Sequence, residues 1–132
     1  MIDVHSAIIV TTHDDVSVYR APGSDSVTHV EFKTDDPHGY RRHLHHKGVE
    51  RDHPLPPHED EYYAAIAHAL NGITRIVLIS NGGGSSSSGG LFLREFTKRH
   101  HDIASTIIKE LTLDIESLTV PQIIAAGIAE LI

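Results

Sequence analysis

A five-stranded mixed α/β sheet, in strand order 3-2-1-4-5 with helices on both faces, is the fold class this sequence predicts. Three observations carry it. Ala7-Ile8-Ile9-Val10 and Ile76-Val77-Leu78-Ile79 are short, continuous apolar runs, the pattern of strands buried on both faces. The second run is followed by the glycine/serine stretch Asn81 to Gly90, and then by large apolar residues with flanking charges from Leu91 to Arg99. That is the local layout of strand, turn and helix. Finally, three short strand patterns open the chain, whereas the later strand patterns alternate with helical ones.

The elements follow in order. Ser6 to Thr11 is the first strand, and His13-Asp14-Asp15 is a polar turn. Val16-Ser17-Val18-Tyr19 alternates apolar and polar, as a half-buried strand does, and Ala21-Pro22-Gly23-Ser24-Asp25 is a second turn. In the third strand Val27, His29 and Glu31 share one face, and Thr28, Val30 and Phe32 the other. Tight connections make these three an antiparallel meander. Residues 35–57 break the pattern with few apolar residues, five histidines and four basic residues. They read as a long exposed loop, a type that is usually functional or disordered in a compact domain.

Pro56-Pro57 followed by Glu59-Asp60-Glu61 opens a helix, since proline suits the first turn and carboxylates complement the helix dipole there. Tyr63, Ile66, Ala67 and Leu70 have the spacing of its buried stripe, and Asn71-Gly72 ends it. After the central strand comes a glycine/serine loop over residues 81–90, and then the second helix, which His100-His101-Asp102 breaks. Ile103 to Ile107 predicts one or two further helical turns, and Leu111, Leu113 and Ile115 a last strand. Thr119-Val120-Pro121-Gln122 has capping-box spacing and opens a final helix with Ile124, Ile128 and Leu131 inward. Right-handed crossovers place the fourth strand beside the first and parallel to it, with the fifth beyond. The whole is a ribonuclease H-like layout.

At 132 residues the chain predicts a single domain, 1–132, long enough to bury a core without disulfides. It has no cysteine, which leaves no disulfide framework and no thiolate chemistry. No apolar run approaches membrane-spanning length, so no membrane partner is expected and the cytoplasm is the expected location. A formal net charge of −7 argues against coating nucleic acid with the whole surface. Twelve histidines are the compositional anomaly.

Two stretches could carry chemistry. The first runs from Asp36 to Lys47 and beyond, and gathers Tyr40, Arg41, Arg42, His43, His45, His46, Lys47 and Arg51. Histidine is the commonest side-chain metal ligand, but cations repel a metal and attract phosphate. The segment therefore reads as a focused anion- or RNA-binding patch, with a solvated loop and a histidine-based metal site as the alternatives. The second is the anion loop suggested by Asn81, Gly82, Gly83, Gly84, Ser85 and Ser86, because backbone amides before a helix bind anions. The Walker pattern needs Gly-Lys-Ser/Thr, and no lysine occurs between Arg75 and Lys98. A flexible connector or a phosphate-binding hydrolase loop are its other readings. A ribonuclease H-type metal site needs carboxylates where the first strand ends in Thr11-Thr12 and the fourth in Ser80-Asn81. No catalytic residue, metal ligand or cofactor is assigned.

His43-Leu44-His45-His46-Lys47-Gly48, Glu61 to Ala67, the strand with its Gly-rich serine loop, Thr97-Lys98-Arg99-His100-His101 and Leu118 to Ile123 together resemble a known group. It comprises small bacterial translational machinery proteins related to the middle domain of archaeal and eukaryotic peptide-chain release factors and of Pelota. The resemblance runs from about Ser6 to Leu131. It implies the same fold and a partner that is the ribosome or structured RNA. The oligomeric state is open, with a homodimer among the options. In release factors the catalytic Gly-Gly-Gln loop precedes the first long helix, where this chain has the histidine segment. The only glutamine here is Gln122, so the resemblance implies no hydrolysis of peptidyl-tRNA by that motif. In the bacterial relatives the loop after the central strand commonly reads like His-Gly-x-Gly-Lys-Ser. Asn81 stands here in place of the histidine and serine in place of the lysine, which weakens any anion site built on that lysine.

Overall fold

Strand β1 is Ser6–Thr11, and all six of its residues are buried. Full burial needs cover on both sides, and the alternation of a strand supplies it: Ala7 and Ile9 enter one core cluster, Ile8 and Val10 another. The computed structural model describes residues 5–12, 15–22, 27–33, 57–81 and 88–132, without the side chains of 33, 57–60 and 88–91.

β2 (Asp15–Arg20) pairs antiparallel with β1, placing Ile9 opposite Val18. β3 (Thr28–Lys33) pairs antiparallel with β2, placing Val18 opposite Val30 and Tyr19 opposite His29. The Tyr19 and His29 rings stack with centroids 4.2 Å apart. The meander is therefore as the alternation predicts. Helix α1 (Pro57–Ala69) follows and begins at the last residue of the predicted loop 35–57. Ile66, Ala67 and Leu70 are its buried stripe, with Tyr63 half-buried beside them. Gly72 ends it at φ 81°, a left-handed conformation that costs glycine nothing.

β4 (Arg75–Asn81) lies parallel to β1 with Ile9 opposite Leu78, and β5 (Ile107–Leu113) lies parallel to β4. The sheet order is β3-β2-β1-β4-β5, and β4, buried at its five central residues, is an interior strand. Between β4 and β5 run α2 (Ser88–Arg99) and the one-turn α3 (His101–Ala104). A 3-10 turn (Ile115–Ser117) leads to α4 (Val120–Leu131). Thr119 and Gln122 close the predicted capping box in both directions.

Four boundaries differ from expectation. Asn81 is the last residue of β4 rather than loop, and Ser88 to Gly90 are the first turn of α2. A first turn takes its form from carbonyls bonding forward, so it needs no apolar side chains of its own. β5 begins at Ile107, where a bulge between the pairings of Ile76 and Val77 interrupts the alternation, and it ends at Leu113, with Ile115 opening the 3-10 turn. The inward residues of α4 are Ile123, Gly127 and Leu131, with Ile124 and Ile128 only half-buried. A Cβ on Gly127 would stand 2.5 Å from Cδ1 of Ile8, so the helix rests on the sheet through the side chain that glycine lacks.

The two faces carry different helices. α1, α2 and α3 cover the one formed by Ala7, Ile9, Ile76 and Leu78. Among the described residues, α4 covers the one formed by Ile8, Val10, Val77 and Ile79, with Ile115 of the 3-10 turn and Leu118 packed beside it.

Candidate functional site

β1, β3, β4 and β5 all point the same way, since β2 is antiparallel to both of its neighbours and β4 is parallel to β1 and β5. Their carboxyl ends, Thr11, Lys33, Asn81 and Leu113, therefore share one edge of the sheet. At this edge the chain leaves β1 toward β2 on one side, and leaves β4 toward β5 on the other. Adjacent strands whose connections diverge open a crevice, and open α/β sheets bind ligands there.

The edge between β1 and β4 is lined by small polar groups. Thr11 is 1% exposed, and its hydroxyl donates to the Ile79 carbonyl at 3.5 Å. The buried Ser80 hydroxyl donates to the Leu111 carbonyl, also at 3.5 Å. Thr12 donates to Asp15 Oδ1 at 2.8 Å, and the Asp15 amide donates back to the Thr12 hydroxyl at 3.1 Å. Asn81 Oδ1 accepts the amide of Ile115 at 3.1 Å, tying the end of β4 to the turn that follows β5. The described part of the edge is thus a hydrogen-bonded frame of hydroxyls and amides. Asp15 is the carboxylate that β2 places on it, and it accepts the Thr12 hydroxyl. Among the described residues, no group of three or more histidine, cysteine, aspartate or glutamate residues could hold a metal ion.

The sequence-predicted site residues fall unevenly on this frame. Asn81 is on it, with a structural tie that its place in a glycine/serine run did not announce. Gly82, Gly83, Gly84, Ser85 and Ser86 lie outside the described residues. So do Tyr40, Arg41, Arg42, His43, His45, His46, Lys47 and Arg51. What the structure fixes is where their segments attach. The histidine segment joins the end of β3 to the start of α1, and the glycine/serine segment joins the end of β4 to the start of α2. Both therefore root on the carboxyl edge. β3 and β4 are three strand spacings apart, about 14 Å.

Behind that edge, α1 and α2 are locked to each other. Phe92, Phe96 and Tyr63 form an aromatic cluster, with the Phe92 and Phe96 rings 5.1 Å apart. The Arg99 guanidinium lies 4.9 Å from the Tyr63 ring centroid and donates to Glu95 Oε1 at 2.8 Å. The hydrogen bond from Arg99 holds the Glu95 carboxyl below its ordinary pKa, with Lys98 and Arg94 adding to the effect against some burial. Tyr62 reaches across and donates its hydroxyl to the Phe32 carbonyl at 3.2 Å. This lock fixes the two helices that begin where the two candidate segments end. The i, i+4 spacing of Glu95 and Arg99 marks the ion pair within α2, while the contacts with Tyr63 join positions that only the fold brings together.

Among the described residues, no helix is long and apolar enough to cross a membrane. No protein-family model matches the chain. No curated protein matches it either.

Proposed function

We propose that this chain is a translation-associated domain that binds the ribosome or structured RNA through its histidine-rich segment, without Gly-Gly-Gln peptidyl-tRNA hydrolase activity. The observation that carries the reading is topological. The one segment that concentrates positive charge in a net-acidic chain is rooted on the carboxyl edge of the sheet, the same edge that holds the root of the glycine/serine segment. Arg41, Arg42, Lys47 and Arg51 supply phosphate contacts, since guanidinium clamps phosphate with two parallel hydrogen bonds. Tyr40 and the rings of His43, His45 and His46 supply faces for unpaired bases. The acidic remainder of the surface keeps the contact local.

The resemblance to release-factor middle domains supports the same reading, because the histidine segment occupies the place of their ribosome-reaching loop. The absence of a Gly-Gly-Gln there makes the role one of binding rather than of peptidyl-tRNA hydrolysis.

The test is co-sedimentation of the tagged protein with ribosomes across a salt series at two pH values. Neutralised phosphates release counterions, so binding falls steeply as salt rises. It strengthens as the pH falls through the histidine range, where the rings gain charge. Binding that is indifferent to both salt and pH would contradict the proposal.

A further inference from the structure

The chain has two asparagines, Asn71 and Asn81, and each is followed by glycine. That dipeptide is chemically labile. Glycine has no side chain to shield its backbone nitrogen, which can reach the carboxamide carbon of the residue before it. The two asparagines are held differently. Asn81 is the last residue of β4 and is kept extended by its pairing with Leu113. Its Oδ1 accepts the Ile115 amide at 3.1 Å, so its carboxamide cannot turn without leaving that donor unpaired. Asn71 is exposed and lies in the turn between α1 and β4, outside both. Its backbone amide donates to the His68 carbonyl, but among the described residues its side chain has no hydrogen-bond partner. Neither has the Gly72 amide. Gly72 is exposed at φ 81°, and a Cβ built on it would meet no atom within 4 Å. Both reacting groups of the first pair are therefore open to solvent.

We propose that Asn71 is a site of spontaneous deamidation, and that the same reaction is suppressed at Asn81. The Gly72 nitrogen attacks Cγ of Asn71 and gives up its proton. The Cγ–Nδ2 bond breaks, ammonia leaves, and a succinimide ring remains. Water, the only co-reactant, then opens the ring at either carbonyl. Opening at Cγ gives aspartate. Opening at the backbone carbonyl gives isoaspartate, in which the main chain runs through Cβ and Cγ. The attack requires the Asn71–Gly72 peptide plane to turn toward the side chain. Among the described residues one hydrogen bond closes this turn, from the Ile73 amide to the Leu70 carbonyl at 3.0 Å, and glycine accepts either sign of φ. The product matters because of where it forms. Leu70 and Ile73, on either side, are buried in the core under α1. The next amide, of Thr74, donates to the His5 carbonyl at 2.8 Å and leads β4 in alongside β1. An isoaspartate lengthens the main chain by one carbon atom between these anchors. It also sets a carboxylate just beyond the C-terminus of α1, where the helix dipole disfavours an anion.

The experiment ages the full chain in warm, mildly alkaline buffer made with heavy-oxygen water, which labels each new carboxylate. Arg75 lies between the two asparagines, so tryptic digestion places them on separate peptides for mass spectrometry. In the folded protein Asn71 is expected to take up label at least about tenfold faster than Asn81, a barrier difference of the size of one lost hydrogen bond. In urea, where the tie to Ile115 is gone, the two rates are expected to converge. Asn71→Gln, whose amide would have to close a larger ring, is expected to remove the fast reaction. The isolated isoaspartyl form is expected to unfold at a lower Tm than Asn71→Asp, which carries the charge without the extra main-chain atom. Equal rates at the two sites in the folded protein, or faster labelling of Asn81, would overturn the proposal. So would an Asn71 that stays unlabelled in the folded protein while both sites label in urea. An isoaspartyl form as stable as Asn71→Asp would contradict the effect assigned to the lengthened turn.

Discussion

The two faces of the sheet bury similar strands by opposite means. Under α1, α2 and α3 the space is filled by bulk: Ile66, Leu70, Phe92 and Phe96 interdigitate over Ile9 and Leu78, and Arg99 caps the aromatic cluster. Under α4 the space is closed by proximity, because Gly127 lets the helix backbone settle onto Ile8. One face should suffer when atoms are removed and the other when atoms are added. The comparison also separates scaffold from site. Both faces serve to hold the carboxyl edge, where the two candidate segments are rooted.

The sharpest way to break the comparison is to empty the bulky face. Phe96 is fully buried and touches Tyr63, Phe92 and His100. Phe96→Ala is expected to cost about 3–5 kcal/mol in urea unfolding, the usual range for a buried aromatic. A loss below about 1 kcal/mol would mean that this cluster is not the main core.

The proximity face is tested by filling it. Gly127→Ala sets a methyl against Cδ1 and Cγ1 of the buried Ile8, at 2.5 and 2.9 Å in the present geometry. Overpacking is expected to destabilise by about 1–3 kcal/mol, outweighing the gain in helix propensity of about 1 kcal/mol. Ile8→Val removes Cδ1 and should recover part of the loss in the double variant. A Gly127→Ala protein more stable than the parent would show that the close approach is not required.

The smallest effect is electrostatic. The Arg99 hydrogen bond lowers the pKa of Glu95 in the folded state. A lowered folded value means that the pair adds stability above the ordinary carboxylate pKa and loses it as the pH falls through the folded value. Glu95→Gln should therefore lower Tm near neutrality, by the equivalent of less than about 1 kcal/mol. The difference between the two proteins should close in acid. A gap that is constant from neutrality to acid would assign the effect to packing.

Sheet order and orientation were legible because β1 and β4 are uninterrupted apolar runs, and a strand covered on both faces leaves that mark. The capping box at Thr119 and the end of α1 at Gly72 were legible because each depends on neighbours in sequence. The inward line of α4 was not. Sequence patterning favours large residues such as Ile124 and Ile128, whereas the contact is made where Gly127 has no side chain at all. The start of β5 was hidden by its bulge. Of the site, the roots of the two segments follow from the predicted topology. The tie from Asn81 to Ile115 joins positions that only tertiary structure brings together.

The central claim is that the scaffold and the functional edge are separable, with binding carried by the basic segment. It is tested most directly by changing Arg41, Arg42 and Lys47 together to alanine, then measuring ribosome binding and thermal stability on the same preparation at one ionic strength. The expected result is loss of most binding with Tm unchanged. A triple variant that binds ribosomes as well as the parent would contradict the account.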